Sequence, residues 1–192
     1  HVFPQGSFRL GTVIKPWKQD EFDLDLSCKL QEGLSKSKHT QKDVKHFLGA
    51  DLESYRQERG IIEPPEEKHR CWRLNYQDDL SFHMDIVPAI PETENFREAL
   101  LQEMVIKGTE EDLAWNVSQH VVSITDNQHQ HYASITSDWP VSNQEGYAVW
   151  FESRMRQAQK FLESRAAIEK VAKIDNLPAH RWKTPLQRSI QI

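Results

Sequence analysis

Apolar and polar positions alternate with a period of two along Phe22-Asp23-Leu24-Asp25-Leu26, the pattern of a strand with one face turned to a core. Trp72, Leu74 and Tyr76 alternate in the same way. A third such run extends from Leu80 to Val87, and the turn residues Gln77-Asp78-Asp79 between them predict a hairpin. Between the first and second runs the period changes. Val44, Phe47, Leu48, Leu52 and Tyr55 recur at helical spacing, with Thr40 placed to cap the helix and Gly60 to end it. A charged, proline-containing loop, Glu63-Pro64-Pro65-Glu66-Glu67, follows. Phe96, Ala99, Leu100 and Met104 predict a short helix, whereas residues 107–141 are polar, contain histidines and carry no clear period. Ser142-Asn143-Gln144-Glu145 reads as a capping box opening a long helix that bears Tyr147, Trp150, Phe151, Ala158, Phe161 and Leu162. There are no internal repeats. The expected fold is α+β, a small mixed sheet flanked by helices, with a catalytic core in 1–141 and the long helix with the start of a helical region in 142–192.

Both ends read as cut. The chain reaches Gly6-Ser7 almost at once. Thr184-Pro185-Leu186-Gln187 is a strong helix start, yet the apolar face begun by Leu186 and Ile190 stops with the chain, so the C-terminal helical region is expected to be truncated. The 192 residues are 38% hydrophobic and 28% charged, enough for about one domain with its own core. Two cysteines, Cys28 and Cys71, exclude a disulfide scaffold and a multi-cysteine zinc site and point to a reducing cytoplasm. No apolar run approaches the ~20 residues of a membrane span. The net charge of −5 divides into −11 over residues 1–153 and +6 over residues 154–192. A generic polyanion binder is excluded. A basic segment facing an acidic body would guide a phosphate ligand, and a solvated basic helix would give the same charge.

Asp23 and Asp25 carry the first chemistry. Two apart on a strand, they leave the same face ~7 Å apart along the chain, opposite Phe22, Leu24 and Leu26. On the run ending at Val87, Phe82, Met84 and Ile86 share one face and His83, Asp85 and Val87 the other. If the two strands are neighbours, Asp85 joins the pair in a carboxylate trio, and hard oxygen donors of this kind suit magnesium. Two metal ions ~4 Å apart would explain three aspartates on one sheet face. A solvated strand face would explain an isolated Asp-x-Asp equally well. Upstream, Gly6 permits close backbone approach to a ligand, and Ser7 adds a hydroxyl donor suited to triphosphate oxygens.

The succession Gln5-Gly6-Ser7-Phe8-Arg9-Leu10-Gly11-Thr12, Pro16, Phe22-Asp23-Leu24-Asp25-Leu26 and Met84-Asp85-Ile86-Val87-Pro88 resembles the nucleotidyltransferases of the polymerase β superfamily. Among them it is similar to the bacterial relatives of cyclic GMP-AMP synthase, the CD-NTase cyclic-oligonucleotide synthases of anti-phage defence. Asp138-Trp139-Pro140, Ser142-Asn143 with Gly146-Tyr147 and Trp150-Phe151, and Trp182-Lys183-Thr184-Pro185-Leu186-Gln187 extend the likeness. Fifteen residues separate Ser7 from Asp23, a longer loop than in most of the superfamily, and Gln144 stands where relatives often have proline. The resemblance implies a polymerase β-like fold and a two-metal nucleotidyl transfer using Mg2+ or Mn2+. In it, Asp23 and Asp25 hold metal against the donor, Asp85 binds the second metal and orients or deprotonates the attacking hydroxyl, and Gln5, Gly6 and Ser7 meet the donor phosphates. The implied substrates are nucleoside triphosphates such as ATP or GTP. The implied product is a cyclic di- or trinucleotide made in the cytoplasm, with defence-operon regulatory proteins as partners and neither nucleic acid nor membrane required. Transfer to another acceptor (tRNA, a small molecule or a protein) and a non-catalytic nucleotide sensor are the alternatives.

Other residues read as structural. Ser142 is expected to be a cap, His129 and His131 surface histidines, and Trp72 and Tyr76 core. His83 points toward the site and would tune Asp85. Arg9, Lys15 and Lys18 are either triphosphate neutralisers or surface solubilisers.

Overall fold

The computed structural model describes residues 1–13, 22–30, 33–76 and 82–168, with the backbone alone for 165–168. In chain order the elements are β1 (Val2–Pro4), α1 (Gly6–Leu10), β2 (Phe22–Lys29), α2 (Gln41–Arg59), β3 (Glu66–Glu67) and β4 (Trp72–Tyr76). There follow β5 (Phe82–Pro91), α3 (Glu94–Ile106), α4 (Glu111–Ser118), β6 (Val122–Ile124), β7 (Val141–Ser142) and α5 (Gln144–Ile168). The expected Gln77-Asp78-Asp79 turn, Leu80, Lys15, Pro16, Lys18 and the Thr184-Pro185 helix start lie outside the described residues.

The strands form one mixed sheet in the order β1-β2-β5-β4-β3, and β6 and β7 continue from the far half of β5. β2 and β5 are parallel; β4 returns antiparallel on the other edge of β5, so the predicted hairpin pairing is present. One face of the sheet is apolar. Leu74 and Ile86 are buried there against Leu48 and Leu52 of α2, with Leu26, Trp72, Tyr76 and Met84 around them. The helical period of α2 places Val44, Leu48 and Leu52 on this buried side, while Phe47 and Tyr55 stay substantially exposed. Thr40 caps α2 through a reciprocal box with Asp43, and Gly60 closes it in the left-handed conformation, both as expected.

Two features of α2 fix its position. A Cβ at Gly49 would strike the Trp72 indole, so glycine admits the ring, whose Nε1 donates to Lys45 O at 2.8 Å. The wholly buried Lys45 then donates to Lys68 O at 2.5 Å and His69 O at 2.7 Å, with Glu67 3.5 Å away. Burial lowers its pKa and Glu67 opposes the shift.

The unpatterned stretch 107–141 contains α4 and β6. α4 is only eight residues long and β6 only three, too short to establish a period. The Ser142 cap is corrected. Asn143 Oδ1 accepts from Gly146 N–H at 3.1 Å at the start of α5, while Ser142 pairs with Val122 in the sheet. His129 is also not a free surface group: its Nδ1 lies 3.1 Å from Nε2 of the buried Gln41.

Candidate active site

The register of three strands builds the site. Asp25 on β2 lies directly opposite Asp85 on β5, and Asp23 opposite His83. Across the other edge of β5, Arg73 on β4 lies opposite Asp85, and Asn75 opposite His83. Opposed residues leave the same face, about 4.8 Å apart per strand. The polar face therefore carries two ranks, Asp25-Asp85-Arg73 and Asp23-His83-Asn75. The reverse face carries Leu24-Met84-Leu74 and Leu26-Ile86-Trp72, which belong to the core. The expected trio of aspartates shares one face of two adjacent strands.

The Gly-Ser segment meets this face. Gln5 N–H donates to Asp25 O at 2.8 Å, continuing the pairing of β1 with β2, and Gln5 Nε2 donates to Leu26 O at 3.2 Å. The Gln5 side chain thus pins the turn to β2 in this structure. Gly6 follows at φ 61°, and a Cβ there would overlap Asp25 Oδ2. Left-handed backbone and close approach together require glycine. Ser7 is exposed beside it, and its carbonyl accepts from Thr12 N–H at 2.9 Å.

Both outer aspartates are engaged. Arg73 Nε donates to Asp85 Oδ1 at 2.7 Å and Nη2 to Oδ2 at 2.8 Å, a bidentate fork. His83 Nε2 contacts Asp23 Oδ1. His83 was expected to tune Asp85; parallel register places it against Asp23 instead. Asp25 is partly buried, and its carboxyl pKa is raised, first by desolvation and then by the Asp85 and Asp23 charges, with His83 and Arg73 opposing. Among the described residues no three His, Cys, Asp or Glu side chains gather closely enough to hold a metal ion. The donor set itself, all carboxylate oxygen with an excess of negative charge around Asp25, fits a hard divalent cation.

Arg9 is neither a solubiliser nor open to a triphosphate in this structure. It donates to Glu145 Oε2 at 2.9 Å and Oε1 at 2.7 Å and to Glu152 Oε1 at 2.5 Å, tying α1 to α5. Burial pushes the Cys71 thiol up to about 11, which argues against a nucleophile there.

Arg73 was missed from sequence, although a signal was present. If Trp72, Leu74 and Tyr76 face the core, Arg73 and Asn75 must face the aspartates.

The chain is similar to several known proteins. Residues 1–88 match the family described as cyclic GMP-AMP synthase DncV-like, nucleotidyltransferase domain. Residues 1–88 are thus similar to a cyclic GMP-AMP synthase-like nucleotidyltransferase domain. Along all of its length it is 31% identical to a c-di-GMP synthase of Roseivirga ehrenbergii, and it spans 40% of that relative. The CD-NTase CdnG of Bradyrhizobium diazoefficiens, solved in complex with GTP, superposes with a TM-score of 0.59 at 18% identity, covering 100% of this chain and 48% of that one. The di-nucleotide cyclase DncV of Vibrio cholerae, in a complex containing GTP, gives 0.55 at 17% identity, covering 88% of this chain and 41% of that one. The α+β nucleotidyltransferase fold of the CD-NTases is thereby established for this domain. Among the described residues no helix is long and apolar enough to cross a membrane.

Proposed function

We propose that this domain is the catalytic core of a magnesium-dependent nucleotidyltransferase that joins nucleoside triphosphates into a cyclic dinucleotide and releases pyrophosphate. The observation that carries the reading is the alignment of Asp25 with Asp85 across β2 and β5, with Asp23 on the same face and Gly6 packed against Asp25. Asp23, Asp25 and Asp85 are the residues that would hold Mg2+, or Mn2+ with the same oxygen donors. When bound, such ions neutralise triphosphate charge and stabilise the attacking and leaving oxygens.

The chain's own residues do the rest. Gly6 and Ser7 place the donor phosphates beside Asp25, with Gln5 holding the turn in position. Asp85 orients the attacking ribose hydroxyl and accepts its proton. The oxygen displaces pyrophosphate from the donor α-phosphorus, and a second transfer of the same kind closes the ring. Positioning and preorganised charge supply most of the acceleration in such reactions. The GTP complex of CdnG and the c-di-GMP synthase relative make GTP the first substrate to test and c-di-GMP the first product. A cyclic trinucleotide is the other product of this chemistry. Cytoplasmic anti-phage signalling with operon-encoded regulators, and a boundary near 141–142 between catalytic core and helical region, rest on the resemblance.

Mass spectrometry of products formed from the four triphosphates with Mg2+ tests the reading. Cyclic product is expected from the wild type and none from Asp23→Ala or Asp25→Ala. Near-normal turnover in either folded variant contradicts it.

A further inference from the structure

Asp85 sits between opposites. On one side, one strand away, is the Asp25 carboxylate; on the other is the Arg73 guanidinium. Arg73 holds both Asp85 oxygens, at 2.7 and 2.8 Å, from the β4 side, opposite Asp25. Asp23 is likewise engaged, by His83. Two of the three aspartates of this face are thus held by basic neighbours. Arg73 also has a second acidic neighbour. Glu66 on β3 lies directly opposite it on the side away from Asp85 and is paired with Lys68 at 2.6 Å.

We propose that Arg73 is the internal counter-ion of the site: it holds Asp85 in the metal-free protein, competes with a divalent cation for that carboxylate, and turns toward Glu66 when the cation takes over. The proposal rests on the reading of Asp23, Asp25 and Asp85 as metal ligands. Arg73 is then a positioning residue. Its fork holds both Asp85 oxygens in place and limits repulsion within the trio. The same fork makes the first ion bind more weakly than the bare carboxylates would allow. In the exchange Arg73 leaves one carboxylate for another on the neighbouring strand, which it then shares with Lys68.

The test is Mn2+ binding, followed by electron paramagnetic resonance of the free ion in the absence of nucleotide, together with thermal unfolding in EDTA and in Mn2+. Arg73→Met is expected to bind Mn2+ about tenfold more tightly than the wild type, the scale set by losing a partly exposed bidentate pair. It is expected to melt lower than the wild type in EDTA and to recover that loss in Mn2+. A purely structural arginine would lower melting equally in both and leave Mn2+ affinity unchanged. Should Arg73→Met not fold, Arg73→Lys keeps the charge without the fork and is expected to bind Mn2+ about threefold more tightly. Unchanged or weaker Mn2+ binding in the folded variant, with wild-type binding that is lost in Asp85→Asn, overturns the proposal and leaves the metal reading standing. Absence of Mn2+ binding in wild type and variants alike overturns both.

Discussion

Asp25→Asn should make the metal-free protein more stable while abolishing its activity. Asp25 and Asp85 face each other across one strand spacing. Two unit charges ~5 Å apart at an effective dielectric near 20 repel by roughly 3 kcal/mol. The Arg73 fork on Asp85 cancels part of this, and solvent at a half-exposed site screens more, leaving a gain of about 1 kcal/mol. For a chain of this size that is a rise of about 2–4 °C in melting temperature. The pH dependence has a definite sign. The Asp25 pKa is raised in the folded state, so its protonated form favours folding and its ionised form opposes it. The advantage of asparagine is therefore full at neutral pH. It shrinks as pH falls through the raised pKa and is gone below the ordinary aspartate value of ~4. Thermal unfolding of both proteins in EDTA at neutral and acidic pH measures this directly. A variant no more stable than wild type at neutral pH, or an advantage that grows on acidification, would refute the electrostatic account of the face. Addition of Mg2+ with GTP should stabilise the wild type and leave the variant unmoved.

Gly6→Ala combines a positive φ with overlap on Asp25, and should cost about 1–2 kcal/mol of stability and lower turnover, read by melting and product formation. Arg9→Met removes three hydrogen bonds between α1 and α5 and should raise KM for the triphosphate more than it lowers kcat, with partial recovery in Arg9→Lys. Lys45→Met removes the buried ammonium that donates to the carbonyls of Lys68 and His69, leaving them their bonds from Asn127, and should cost about 2 kcal/mol, measured by urea unfolding.

Much of the site was legible in the sequence because strand parity is a strict rule. Once Leu24 and Met84 are assigned to a core, Asp25 and Asp85 have only one side on which to stand. The same rule, applied to Leu74, would have found Arg73. Whether β2 and β5 were neighbours was a conditional in the sequence, because nothing local specifies which strands pair across sixty residues. Register was equally invisible, and it decides that His83 meets Asp23 and that Arg73 meets Asp85. The polar anchors were hidden for a different reason. Lys45 and Gln41 look like solvated helix positions until the loops they hold are known. The Ser142 assignment failed by one residue, because serine and asparagine both cap helices and only the sheet pairing of Ser142 separates them.

The central claim is that divalent cations bind on the β2–β5 face at Asp23, Asp25 and Asp85. Anomalous diffraction from crystals of the protein grown with Mn2+ and a non-hydrolysable triphosphate measures this most directly. The account predicts manganese peaks within coordination distance of Asp25 and Asp85, with the triphosphate against Gly6 and Ser7. A bound triphosphate whose metal sits away from all three aspartates would contradict it.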